Sequence, residues 1–504
     1  MAFEQGVAKR RAASLGAAWL AVALWPATAG ADDVVVMTSG AFTAPFEVAA
    51  PWFERRTGHR VTGVFGGSAG GAADSIPARL ARGERADVVI VSAQALDALI
   101  EAGKIEPDSR VDLVSSRIGV AVRAGAPKPD VSSVEALVRA LRSARSIAYS
   151  ASVSGTYLTA ELFPRLGLAD ELAAKGRRVD GERVAAVLAR GDADIGFQQI
   201  SELVGFDGID YVGPLPDEVQ RVSTFAAGIA VGSESPAAAR KLAAFFASPA
   251  VGPVVERFGL NPIGVQAGDW RPLFNGRDLA GWTPKIRGYA PGYNFADTFR
   301  VQNGALTVSY DGYETFDDRF GHLFFVEPFS HYRLRIEYRF VGVQAPDAPA
   351  WAARNSGVMV HSQAAETMLR EQDFPISIEV QFLGGLGDGT ARPTSNVCSP
   401  GTRLVYAGAP DDAHCIRSSA PTIDGDTWVT AEVLVQGSEQ VVHYVNGVPV
   451  IEYGGLAYGG GNVNGHDPAE KPDGEALERG YLSLQSESHP IQFRRVELLR
   501  LEDR

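Results

Sequence analysis

Residues 86–103, ADVVIVSAQALDALIEAG, decide the architecture of the first half of the chain. Residues 86–91 are an almost unbroken apolar run, as in a strand buried on both faces, and residues 93–102 carry apolar side chains at helical spacing. A buried strand feeding a helix is the repeating unit of an α/β domain. The alternation returns on both sides. Residues 34–37 form a strand before an amphipathic helix over 46–57, and further strands read at 118–122, 146–149 and 194–197. An α/β domain with mostly parallel sheets is expected over residues 32–263.

Around residue 264 the helical pattern stops. YRLRIEYRF at 332–340 alternates polar and apolar residues, as do 376–382, 428–435 and 441–445, and Asn446-Gly447 is a hairpin-turn signal. Short strands between Gly, Asn and Asp turns predict an all-β sandwich or jelly roll over 269–504. Of the eight histidines only His59 precedes the boundary. The linker at 264–268 is short, so the domains should sit close with little relative motion.

A chain of 504 residues is too long for one core, which agrees with two domains. A net charge of -13 without a basic stripe argues against a nucleic-acid partner. The N-terminus reads as an export signal over residues 1–31. Lys9, Arg10 and Arg11 precede an apolar stretch at 12–24, and Ala29-Gly30-Ala31 supplies small residues for cleavage before Asp32. The apolar stretch is short for a membrane anchor, so a periplasmic or secreted protein without lasting membrane insertion is expected. In an exported chain the two cysteines, Cys398 and Cys415, read as a disulfide.

Three loops of the first domain place Ser, Gly and Thr after strands: 38–42, 66–71 and 150–156. Backbone N–H groups and hydroxyls at helix starts suit an anion, although the same residues also serve as ordinary helix caps. The stretches VVVMTSGAF, GHRVTGVFGGSAGG, ADVVIVSAQALDALIEAGKI and GDADIGFQQISEL resemble the molybdate-like, type-2 periplasmic solute-binding proteins. The resemblance implies contacts to an oxyanion from Ser39 and Ser68, within a solute site that we extend to Gly40, Ser154, Gly155, Thr156 and Gln198. Gln199 is a further candidate. The third loop departs from the family, which leaves a small organic anion or sugar acid open beside an oxyanion. With one histidine and no Ser-His pairing, this domain reads as a binder.

The second domain opens with DWRPLFNGRDLAGW, and the segments RNSG at 354–357, ISIEVQFLGG and GYLSLQSESHPIQFRRVELL follow in order. Together they resemble the 3-keto-disaccharide hydrolase family, which implies a concanavalin-like jelly roll and a carbohydrate substrate. By strand alternation Glu379 shares a face with Ser377 and Gln381, and it is the candidate general acid/base. Arg354, Asn355, His361, Gln381, Gln485 and His489 are the candidate substrate-binding residues. A ketone at C3 acidifies the hydrogen on C2. One base and an enolate stabiliser would then expel the C1 substituent by elimination, and water could add back. His322 and His361 are candidates for the stabiliser. Their spacing fits no metal motif, so no cofactor is expected, with a divalent metal left as the alternative.

Two other readings stand beside catalysis: a non-catalytic carbohydrate-binding module, and a structural Glu379 bonded to a buried arginine such as Arg494. Trp270, Phe274 and Trp282 are expected in the core, and Tyr289, Tyr293, Tyr310 and Tyr313 as stacking platforms for sugar rings. Residues 458–465 read as a glycine-rich surface loop bordering the cleft.

Overall fold

The computed structural model describes residues 30–69, 72–263, 270–411 and 413–501. The expected leader, apart from its last two residues, and the expected linker lie outside the described residues.

The first domain is built on one mixed sheet. Its strands run in the order Arg60–Gly66, Asp33–Ser39, Val88–Ser92, Val222–Ile229, Val111–Arg123, Ile195–Gln199, Ile147–Ser150 and Gly176–Val179. Pairing is parallel within the three strands at one end and within the three at the other. The expectation of mostly parallel sheets therefore needs correction. Val111–Arg123 and Val222–Ile229 carry the chain from one lobe to the other and back, so they pair antiparallel with each other and with both flanks. Two lobes joined by two crossing strands leave a cleft where the strands of each lobe end. The helix expected over 46–57 begins earlier, as Gly40–Thr57, because Ala41, Phe42 and Phe46 are all buried against the sheet.

The second domain is two antiparallel sheets packed face to face. A ten-stranded sheet includes His331–Phe340, Val429–Gln436, Gln440–Val445 and Ile491–Arg500. A seven-stranded sheet runs Trp282–Ile286, Gly321–Phe325, Tyr481–Ser486, Asn355–Ser362, Ile378–Leu383, Asn396–Cys398 and Cys415–Ile416. Alternate residues of both sheets, among them Leu334, Ile336, Val433, Leu323, Val358, Val380 and Leu484, fill one shared core. Phe274 and Trp282 belong to it. Cys398 and Cys415 face each other on the last two strands of this sheet and form the disulfide.

The outer face of the ten-stranded sheet is the seat of the first domain. Leu434, Val442 and Tyr444 join a core with Trp52, Phe245 and Val254. The Tyr444 hydroxyl donates to the Ala250 carbonyl at 2.8 Å, and Trp52 Nε1 donates to Glu452 at 2.8 Å. Arg333 makes two bonds of 3.0 Å to Glu256 of the first domain, while Glu432 accepts from Arg333 and Arg335. Trp270, expected in the core, instead lies under these guanidinium groups, 4.0 Å from Arg335 and 5.1 Å from Arg333.

Candidate functional sites

The cleft of the first domain encloses about 330 Å³. One lobe contributes Ser39 and Gly40 at the start of a helix, and the turn at Gly66–Ser68. The other contributes Ser150, Ser152 and Ser154, Arg183 and the strand end Gln198-Gln199. Ser68 Oγ accepts the Ser92 amide at 3.1 Å, so its own proton is left for the cavity. Ser39 Oγ is buried without a partner in the protein. Gln199 accepts from Ser116 through its carbonyl oxygen at 2.6 Å, which leaves its amide nitrogen unpartnered. Gln198 lies in the wall and accepts the Val184 amide at 2.8 Å. Gly155 and Thr156 fall behind the wall. A Cβ at Gly155 would collide with the Ser150 carbonyl, and Thr156 is exposed and bonds back to Ser152.

The second site is the outer face of the seven-stranded sheet. Pairing register aligns Lys285, His322, Gln485, Gly357, Gln381 and Asn396 in one row across the strands. The next row on the same face holds Ser483, Met359, Glu379 and Cys398. Polar side chains on a face turned away from the core would ordinarily be solvated. Here Lys285, His322, Glu379, Ser483 and Gln485 are all at most 5% exposed. A Cβ at Gly357 would lie 3.2 Å from both Glu379 Cγ and Gln485 Oε1, so glycine there gives these two side chains room to meet.

Many of these groups lack a partner within the protein: both nitrogens of His322 and of His489, both amide atoms of Gln485, Asn355 Oδ1, Glu379 Oε1, Ser483 Oγ and Glu487 Oε2. Buried polar atoms are nearly always satisfied, so this many without partners on one face make it the candidate site of this domain. Burial pushes the Glu379 carboxyl up to about 8. Glu487 is raised well above the usual range, first by burial and then by the charge of Glu379, against the pull of Arg392. Burial takes His322 down to about 3, helped by Lys285, and Lys285 itself down to about 8. His489 falls to about 4, through burial and the nearby Arg354. The result is a pair of carboxyls held towards their protonated forms beside neutral imidazoles.

Of the residues singled out from the sequence, the structure gathers Glu379, Gln381, Asn355, Gln485 and His489 at this face, with Arg354 at its rim. Gln381 accepts from Asn396 at 3.0 Å, and Arg354, at φ +45°, reaches the Gly425 carbonyl and Asp426. His361 points elsewhere. The register slips between Met359 and Ser362, and a φ of +49° turns the imidazole inward, where Nε2 meets the Gly437 carbonyl at 3.0 Å. Arg494 pairs with Glu337 rather than with Glu379. Tyr310 and Tyr313 are buried in the core with their hydroxyls on Ser486 and Thr298, so they offer no stacking surface. Tyr293 is exposed and stacks on Tyr289.

Lys285, Glu487 and Trp351 were missed. Glu487 lies in the closing segment SESHP beside His489, and its acidic side chain after a strand was the available signal. Trp351 is 56% exposed and stacks on Phe320, which packs on Phe374, whose ring meets His322 edge-on. Among the described residues no cluster of His, Cys, Asp and Glu converges as metal ligands, and no helix is long and apolar enough to cross a membrane.

Residues 34–261 match the family model described as bacterial extracellular solute-binding protein, and residues 269–499 match that of the 3-keto-alpha-glucoside-1,2-lyase-like domain. The chain is 42% identical over 253 residues to an aconitate isomerase from a Pseudomonas species, across 50% of this chain and 97% of that protein. Similar solved structures include the periplasmic molybdate-binding protein of Azotobacter vinelandii, at 22% identity and TM-score 0.38 over 45% of this chain and 98% of that one. Another is the sulfate-binding protein of Mycobacterium tuberculosis, at 17% identity and TM-score 0.38 over 46% and 88%.

Proposed function

We propose that this chain, whose residues 34–261 match the bacterial extracellular solute-binding protein model and whose residues 269–499 match that of the 3-keto-alpha-glucoside-1,2-lyase-like domain, is an exported enzyme that breaks the C1–O bond of 3-keto-glucosides. The observation that carries the reading is the crowd of buried, unpartnered polar groups around Glu379 on the outer sheet face. In this reading the two sheets form a concanavalin-like jelly roll.

The chemistry follows from the groups present. Ionised Glu379 removes the C2 proton, which the C3 ketone makes acidic. The electron pair forms a C1–C2 double bond as the C1–O bond breaks. Glu379 and Glu487 are poised to hold one proton between them, so the protonated Glu487 donates to the departing oxygen. Neutral His322, with a free N–H, and Lys285 face the ketone oxygen and stabilise the enolate. Water adding across the new double bond gives net hydrolysis, and release of the unsaturated sugar gives a lyase. No step calls on a cofactor.

The test is an NMR time course of the full chain with a 3-keto-disaccharide, with and without chelator. Release of the second sugar, lost in Glu379→Gln, supports the reading, and chelator sensitivity would assign a role to a metal. Saturable binding without release would leave a carbohydrate-binding module in its place.

For the first domain, the relative named as an aconitate isomerase supports a small polycarboxylate as the ligand of the cleft, held by Arg183, the Ser39 and Ser68 hydroxyls and the first turn of the Gly40–Thr57 helix. Calorimetric titration with aconitate tests that assignment.

A further inference from the structure

The turn that follows Gln199 brings one carboxyl into the first cleft. Ile200–Glu202 is a single turn of helix, and Ser201 clamps it to the Gly40–Thr57 helix by donating to the Ala41 carbonyl at 2.7 Å. This sets Glu202 directly against Gly40, where a Cβ would collide with Oε1 of the carboxyl. Glycine at position 40 is thus what admits the carboxyl to the helix start. Around it stand Arg183, Gln198, the unpartnered Ser39 hydroxyl and the unpartnered Gln199 amide.

Of the other acids that line the cleft, Asp74 is half-buried in the turn before Ser75, and the rest are engaged or turned to solvent. Glu182 pairs with Arg190 at 2.8 Å, Asp180 with Arg178 at 3.4 Å, and Glu47 is exposed. The described wall carries no histidine, lysine, cysteine or tyrosine, and of its carboxyls Glu202 is the one set against Gly40 at the helix start, so it is placed to carry a proton there.

We propose that Glu202 is the catalytic residue of the first cleft, carrying a proton between two carbons of a bound unsaturated polycarboxylate in the kind of isomerisation that the relative's name states. The proposal rests on the reading of the cleft as a polycarboxylate site. The carboxylate of Glu202 takes a proton from a methylene that lies between a carboxylate and a carbon–carbon double bond. The C–H pair becomes the new double bond, and the old double bond's pair takes the proton back from Glu202 at its far carbon. One C–H bond breaks and one forms, the double bond moves, and no oxidant, reductant or co-reactant enters. The charge that builds on the substrate's carboxylates meets Arg183, the Ser39 hydroxyl and the Gln199 amide.

A base of this kind works best when it is neither fully protonated nor weakly basic at the working pH. Burial raises Glu202 to about 7, against the opposing pull of Arg183 and Gln198.

The test incubates the full chain in D₂O with one geometric isomer of aconitate and follows proton NMR. The expected result is conversion to the other isomer with solvent deuterium entering at carbon, at a rate that rises with pH through about 7. Glu202→Gln should lose at least about 100-fold in rate while its calorimetric affinity stays within about 5-fold, and Glu202→Asp should keep part of the rate. Wild-type binding without isomerisation or exchange overturns the proposal and leaves the polycarboxylate reading standing. Absence of binding by the wild type overturns both. A Glu202→Gln variant as fast as wild type removes Glu202 from the role.

Discussion

The sandwich buries polar and ionisable groups on both of its outer faces, and it treats them in opposite ways. On the ten-stranded sheet every buried charge has a mate. Arg333, with its side chain 3% exposed, is held by Glu256 and Glu432, and Arg335 by Glu432 and Glu497. On the seven-stranded sheet Glu379, Glu487, His322 and Gln485 are as deeply buried and carry unpartnered atoms. Paired buried charge fixes how two bodies dock, whereas unpartnered buried ionisable and polar groups lower stability and are retained where they do chemistry.

The sharpest way to break this comparison is Glu379→Gln. We expect turnover of a 3-keto-disaccharide to fall by about 1,000-fold while the chain stays as stable or gains stability in a thermal melt, since a costly buried acid is removed. A marked loss of stability instead would make Glu379 a structural residue like those of the opposite face. The converse variant, Glu432→Ala, strands Arg333 and Arg335 in the domain junction. It should cost about 3 kcal/mol in denaturant unfolding and leave turnover per folded molecule unchanged.

Proton linkage sharpens the contrast. Glu379 keeps its proton in the folded state up to about pH 8, whereas the unfolded chain releases it near the ordinary 4.5. Its contribution to stability is therefore complete below 4.5 and is lost as pH rises to about 8, at up to about 1.4 kcal/mol per pH unit. His322 has the opposite sign. The unfolded imidazole takes a proton near 6.5 and the folded one only near 3, so stability falls as pH drops through that window. Stability curves of wild type, Glu379→Gln and His322→Gln should show the alkaline slope flattened in the first variant and the acid slope in the second. Catalysis should rise with pH towards a plateau above about 8 as the Glu379 base ionises. The smallest expected effect is at the rim. Trp351→Ala should raise KM about 5-fold, by about 1 kcal/mol of lost stacking, with kcat little changed.

Much of this was legible in residue order. Period-two alternation over 376–382 put Glu379 and Gln381 on one face, and the register bears that out. Alternation fails at His361, because a local slip with positive φ reverses a side chain without leaving a mark in the pattern of polar and apolar residues. Tyr310 and Tyr313 sit in glycine- and aspartate-rich segments that read as surface, yet they are buried against each other, Phe295 and Phe316. Glu487 was passed over because its importance depends on Glu379, more than a hundred residues away in sequence.

The sequence by itself determined the two-domain order, the class of each domain and the pair of half-cystines, since these rest on local periodicity and composition. The tertiary structure alone decided that two distant carboxyls share one buried face, that Glu202 lies against Gly40, and that one sheet face became a junction while the other buried polar groups without partners. Each of these depends on which groups lose water and which charges are brought near them. Burial and long-range Coulomb interactions are properties of the folded arrangement, and no window of neighbouring residues contains them.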